Sequence, residues 1–229
     1  MKKNICIIGA SSGVGKALAE YYSSEGNTVF TPRRAKYNLS NYEEIQKLSD
    51  TISEEKYDLV IFSAGVGYYK CFTELSDSEL QEQISVNTLA PLKILRKNLS
   101  IFQQNNTKFV YLSSIMRHIP AKNMSVYASM KQATSQTLKT LRLENKNLSI
   151  VNIDLGAIQT PMHLKAGMQK TVGKKVSEIL PKLIKTLETQ EGSIMLLWQW
   201  KILVYFVFPV LKFSLACKMF HRNISTNNK

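Results

Sequence analysis

The sequence is short of cysteine, histidine and acid, and it has no long unbroken apolar run. Its three cysteines, Cys6, Cys71 and Cys217, lie far apart and form no CxxC pair. That excludes a disulfide-stapled scaffold and fits a reduced, cytosol-facing compartment. The three histidines, His118, His163 and His221, lack metal-ligand spacing, so no metal site is expected. Seventeen acids face 30 lysines and arginines, a net charge of +13. Such an excess favours anionic partners: nucleotide phosphates, nucleic acid or an acidic membrane surface. No nucleic-acid reading motif accompanies it, so nucleic acid is not expected. Lys2-Lys3, the apolar residues 5–8 and Ala17-Leu18-Ala19 imitate a secretory leader. Gly9 and Ser11-Ser12-Gly13 interrupt the apolar run far too early for one. Residues 194–216 are strongly apolar, but Lys201, Pro209 and Lys212 break them up, short of the roughly 20 apolar residues a spanning helix needs. Internal repeats and low-complexity linkers are absent.

What is present suits one α/β domain: 229 residues support one full core and would crowd two. Residues 5–8, 28–31, 59–62, 109–112 and 148–153 read as strands. Residues 14–24, 42–52, 125–143 and 176–187 read as helices. The alternation predicts an α/β fold, a three-layer, doubly wound parallel sheet. One connection is abnormal. Between Thr31 and Asn38 there is no room for a crossover helix, which needs roughly a dozen residues with its loops. Either a bare loop joins the second and third strand positions or the third strand is vestigial. The domain is expected over residues 1–200, with an apolar and basic C-terminal helix and tail over 201–229. Residues 193–200 read as the last strand. Beyond them the chain is expected to pack on the core or a subunit, or to meet an anionic membrane surface through Lys201, Lys212, Lys218 and Arg222.

Two patterns carry chemistry. Gly9-Ala10-Ser11-Ser12-Gly13-Val14-Gly15 lies between the first strand and the first helix. Glycines let the backbone approach a phosphate closely, and a helix N-terminus supplies free N–H groups. A tight strand-to-helix turn with no ligand would use the same glycines. After the second strand come Arg33 and Arg34, with no acid. An acid there would hold the ribose hydroxyls of NAD, whereas arginine pairs with the extra phosphate of NADP. NADP(H) is therefore expected over NAD(H), with Arg33 as the phosphate ligand, aided by Ser12 or Arg34. The second pattern is Tyr127 four residues before Lys131, on one face of a helix. A phenol titrates near 10, too high for acid–base work at neutral pH. A neighbouring ammonium is expected to draw it down.

In order and spacing these elements resemble the short-chain dehydrogenase/reductase family, over roughly residues 4–200. The glycine loop, from Gly9 to Gly15, has the family's spacing, with Ile8 where a threonine is usual. Ser114, thirteen residues before Tyr127, resembles the family's catalytic serine; its neighbour Ser113 does not match the count. Asn87 resembles the helix asparagine that anchors a proton-relay water, although a helix-kink residue before Pro91 would look the same. Asn38-Leu39-Ser40 resembles the segment that touches adenine. Phe62-Ser63-Ala64-Gly65 and Leu155-Gly156-Ala157-Ile158-Gln159-Thr160 resemble two further cofactor elements. Phe62 and Ser63 replace two asparagines there, and Leu155 replaces a proline. The resemblance implies an NAD(P)-binding Rossmann fold. It implies an enzyme that interconverts a carbonyl and an alcohol, with Ser114, Tyr127, Lys131 and Asn87 catalytic. Ser11, Ser12, Gly13, Val14, Asn38, Leu39, Ser63, Ala64, Gly65, Gly156, Ile158 and Thr160 would line the cofactor. It implies a small-molecule substrate and a homo-oligomer, dimer or tetramer. Residues 162–172, with Met162, Leu164, Met168 and Val172, would form an apolar lid.

Overall fold

A computed structural model describes residues 2–207. The expectations for Pro209, Lys212, Cys217, Lys218, His221 and Arg222 lie outside the described residues. In chain order the strands are β1 (Asn4–Ile8), β2 (Thr28–Phe30), β3 (Leu59–Phe62), β4 (Lys108–Ser114), β5 (Ile150–Leu155), β6 (Ile158–Gln159), β7 (Lys174–Lys175) and β8 (Gly192–Met195). The helices are α1 (Gly13–Ser24), α2 (Tyr42–Ser53), α3 (Asp77–Ile84), α4 (Ala90–Asn105), α5 (Ser125–Glu144), α6 (Pro161–Lys165), α7 (Val176–Thr189) and α8 (Trp198–Ile202).

Six strands form one sheet in the order β2-β1-β3-β4-β5-β8, and every pairing in it is parallel. Side chains alternate across it. Ile5, Ile7, Ile61, Val110, Leu112 and Ile153 pack on one face with Leu18 of α1 and Leu183 of α7. Cys6, Ile8, Val60, Phe62, Phe109 and Tyr111 pack on the other with Leu48 of α2, Ile94 of α4 and Leu138 of α5. Helices cover both faces, which is why the strands read as unbroken apolar runs. The three-layer, doubly wound arrangement is the expected one.

The abnormal connection resolves in favour of the second alternative. No strand forms between β2 and α2. After β2 the chain turns and enters α2, whose cap residue Asn41 accepts from the backbone N–H of Glu43 and Glu44 at 2.8 and 3.1 Å. That helix delivers the chain to β3, beside β1, and β2 is left at the edge of the sheet.

Two other regions differ from expectation. The helical stretch of α3 and α4 was legible only at Asn87. The last strand, expected over 193–200, stops at Met195 and yields to α8. Trp200 leaves the sheet to pack partly against the core, and Val204 joins Ile115, Ile119 and Met195 in a buried cluster. The described part of the C-terminal segment therefore packs on the domain through Trp200 and Val204. Trp198, Ile202, Tyr205 and Phe206 remain exposed. Among the described residues no helix is long and apolar enough to cross a membrane.

Candidate active site

The chain leaves β1 in one direction to reach β2 and returns on the other side as β3. Such a switch in strand order opens a crevice at the carboxyl ends of the strands. A cleft of about 940 Å³ lies there. Gly9, Ser11, Ser12, Gly13 and Val14 line it, as do Arg33, Arg34, Asn38 and Leu39. So do Ser63, Ala64, Gly65, Gly156, Ile158 and Thr160, together with Ser114, Tyr127 and Lys131. Gly15 and Asn87 are not on its wall.

At one end, Gly9 has φ +93°, and a Cβ there would stand 2.5 Å from the Ala64 nitrogen. A side chain at Gly15 would collide with the Gly9 carbonyl. Gly15 therefore lets the loop pack closely on its own backbone. The Ser63 N–H donates to the Ile8 carbonyl at 2.8 Å, holding the two cofactor-type loops side by side. Ser12 caps α1 without a side-chain bond to the helix. Glycine backbone facing a helix N-terminus makes a cradle suited to a pyrophosphate. The Asn38 side chain accepts from the Ser40 N–H at 3.1 Å, so it shapes its own turn. Arg34 is not free: it pairs with Glu82 at 3.0 Å. Arg33 forms no ion pair among the described residues.

At the other end, β4 delivers Ser113 and Ser114 to opposite duties. The Ser113 hydroxyl is buried against that of Ser135 at 2.9 Å. Ser114 faces the cleft, accepts from the Met116 N–H at 3.2 Å and has its hydroxyl near that of Tyr127. Lys131 Nζ donates to the Leu112 carbonyl at 3.1 Å and stands 4.6 Å from the Tyr111 ring and 5.9 Å from that of Tyr127. One expectation is corrected here. Burial pushes Tyr127 up to about 12, and only the neighbouring Ser114 hydroxyl opposes it. Burial drives Lys131 down to about 7, against the pull of Asp154. A lysine whose burial disfavours its charge draws a phenol down less than a solvated ammonium would.

This depression has a measurable sign. Between about 7 and 10.5 the folded lysine has released its proton and the unfolded one keeps it. Its contribution to stability therefore rises with pH across that window and is least below it. Without added dinucleotide, Lys131→Met is expected to be more stable than the native chain at about pH 6, with the gap shrinking toward about pH 9. Urea unfolding of both proteins measures the gap; one that is constant or widens with pH contradicts the assignment.

Asn87 is held from several sides. Its side chain donates to the Val66 carbonyl at 2.7 Å and accepts from the Val66 N–H at 3.1 Å. Its own carbonyl takes the hydroxyls of Tyr111 at 2.9 Å and Thr134 at 2.8 Å. That carbonyl thus accepts two hydroxyls from within the protein. The π-helical turn over Ser85–Leu89 frees the carbonyl from the helix, as such turns do. Asn87 is a positioning residue for the loop after β3.

Several residues had no signal in the sequence. Asp154 is buried beneath the site and binds Arg117 and His118, a contact between strand and loop with no motif. Gly67 allows the Tyr127 ring to approach, since a Cβ there would lie 3.0 Å from the ring. Trp200 and Leu203 close the cleft from the C-terminal side. In the lid, Met162, His163, Met168 and Val172 face the cleft, whereas Leu164 is 53% exposed. The His163 ring accepts from the Val172 N–H at 3.2 Å, folding the lid on itself.

The family model for short chain dehydrogenases matches residues 33–171. An uncharacterized oxidoreductase of Staphylococcus epidermidis is 23% identical over 186 residues, covering 71% of this chain and 81% of that protein. A short chain dehydrogenase from Burkholderia cenocepacia, solved with NADP, superposes with a TM-score of 0.78 at 18% identity, covering 93% of this chain and 95% of that one. A 4-hydroxyisoleucine dehydrogenase solved with NADH and succinate gives 0.71 at 21% identity, covering 83% and 96%. The two solved structures share the fold. With more than half of its length inside the family model, this chain belongs to the short-chain dehydrogenase family of NAD(P)-dependent oxidoreductases.

Proposed function

We propose that the protein interconverts a carbonyl and an alcohol with NADP(H), Tyr127 acting as general acid and base. One observation carries this reading: Ser114, Tyr127 and Lys131 share the wall of a cleft whose far end holds the glycine loop and Arg33. The dinucleotide, when bound, supplies or accepts the hydride. The Ser114 and Tyr127 hydroxyls hold the substrate oxygen. Tyr127 gives its proton to that oxygen in reduction and takes it back in oxidation. Lys131 holds the ribose beside the tyrosine. Gly156, Ile158 and Thr160 border the nicotinamide end, and the backbone of Ser63, Ala64 and Gly65 the ribose. Preference for NADP(H) rests on the unpaired Arg33 and on the lack of an acid directly after β2. Met116, Met124, Met162 and Met168 line the substrate side and favour a bulky, apolar carbonyl.

Fluorescence titration with NADPH and NADH, followed by NADPH consumption on a panel of aliphatic, aromatic and steroid ketones, tests this. Tighter NADPH binding and turnover of an apolar ketone are expected. Binding without turnover on any carbonyl would instead favour a dinucleotide-binding scaffold, the reading to which the departures at Ile8, Phe62, Ser63 and Leu155 point. Binding of neither dinucleotide would end the proposal.

A further inference from the structure

The shortened connection after β2 brings an acid into the adenosine end of the cleft. Glu82, on α3, lies on the cleft wall. Its carboxylate accepts from Arg34 at 3.0 Å, from the Ser40 hydroxyl at 3.4 Å and from the Tyr68 hydroxyl. Those partners come from the β2–α2 connection and from the loop after β3, so Glu82 ties three segments together where the cleft would receive the adenosine. Arg34 itself is 76% exposed, whereas the Glu82 side chain is 19% exposed. An ion pair so open to solvent adds little to stability. Its consequence is for a ligand. A guanidinium already sharing its donors with a carboxylate has fewer to offer a phosphate.

We propose that Glu82 is a determinant of cofactor choice: by holding Arg34 it leaves Arg33, of the two adjacent arginines, for a 2′-phosphate. This rests on reading the cleft as an NAD(P) site. Glu82 thus moderates the preference for NADP(H) that two adjacent arginines would otherwise make strong. Neutralising it releases Arg34 to form a second charge-assisted bond.

The test is a set of dissociation constants for NADPH and NADH, by fluorescence titration, with Glu82→Gln, Arg34→Met and the double variant. Glu82→Gln is expected to raise the preference for NADPH over NADH by about five- to tenfold. Arg34→Met alone is expected to move it by less than about twofold, and in the double variant the gain should vanish. Glu82→Asp, one methylene shorter, keeps the charge but lets go of Arg34. It is the second variant should Glu82→Gln not fold, and a smaller gain in the same direction is expected. Adenosine 2′,5′-bisphosphate should follow NADPH. An unmoved ratio, equal weakening of both dinucleotides, or a gain that survives in the double variant overturns the proposal. A native protein that binds neither dinucleotide removes the cofactor reading itself, and this inference with it.

Discussion

Tyr127→Phe is expected to lower turnover by about 10²- to 10⁴-fold while NADPH still binds. The substitution removes one oxygen and keeps the ring. That ring is buried beside Gly67 and close to Ser114, so phenylalanine fills the same space and the cleft keeps its shape. What disappears is the proton. With Tyr127 pushed up to about 12, the native phenol is protonated at neutral pH and ready to act as the acid of a reduction. Without the oxygen, Ser114 can still hold a carbonyl but nothing protonates it. The measurement pairs kcat from NADPH consumption with Kd from fluorescence. Full activity in the variant would remove Tyr127 from the mechanism. Loss of binding as well would show that the hydroxyl matters to the architecture rather than to the chemistry.

Asp154→Asn carries the largest expected cost in stability, about 3–5 kcal/mol. Asp154 is 2% exposed. Arg117 embraces it with two bonds, 2.7 and 2.9 Å, and His118 adds a third contact at 2.9 Å. Asparagine keeps the shape but removes the charge, leaving the Arg117 guanidinium buried without a counter-ion. The melting temperature should fall by about 10 °C for a domain of this size. Removing both ions together, Asp154→Leu with Arg117→Leu, should recover much of the loss, because an apolar pair has no charge to desolvate. A single variant that melts within a degree or two of the native protein would show that the pair is worth little. The cost should also reach the site, because Arg117 and His118 sit in the turn Ile115–His118 that immediately follows Ser114. Slack there is expected to appear as a lower kcat before any global unfolding.

The residues that were legible in the sequence are those whose roles depend on local spacing. Gly9 to Gly15, Ser114, Tyr127 and Lys131 occupy fixed offsets within one strand-turn-helix or along one helix, and the cleft gathers all of them except Gly15. The alternating strands were legible because each is buried on both faces. Contacts made across the fold left no trace. The grip of Glu82 on Arg34 spans 48 residues and that of Arg117 on Asp154 spans 37, and neither uses a motif. The electrostatics of Tyr127 and Lys131 failed for a related reason: spacing says that they are neighbours, but only burial says which of them is charged. Asn87 shows the same limit. Its type and position matched the pattern, while the commitment of its carbonyl to Tyr111 and Thr134 depends on a π-helical turn that no periodicity announces.

The strand missing between β2 and α2 has a topological corollary. In a parallel sheet a helix carries the chain back to the end from which the next strand must start. Deleting a strand alone would have left two helices in succession. Deleting a helix alone would have sent the next strand down the sheet the wrong way. Here the two are missing as one module, so every later element keeps its direction and handedness. Ser114, Tyr127 and Thr160 consequently emerge at the same rim as the glycine loop. The shortening is felt at the margin of the sheet beside Arg33, where the proposed choice between NADP(H) and NAD(H) would be made apart from the machinery that would use either.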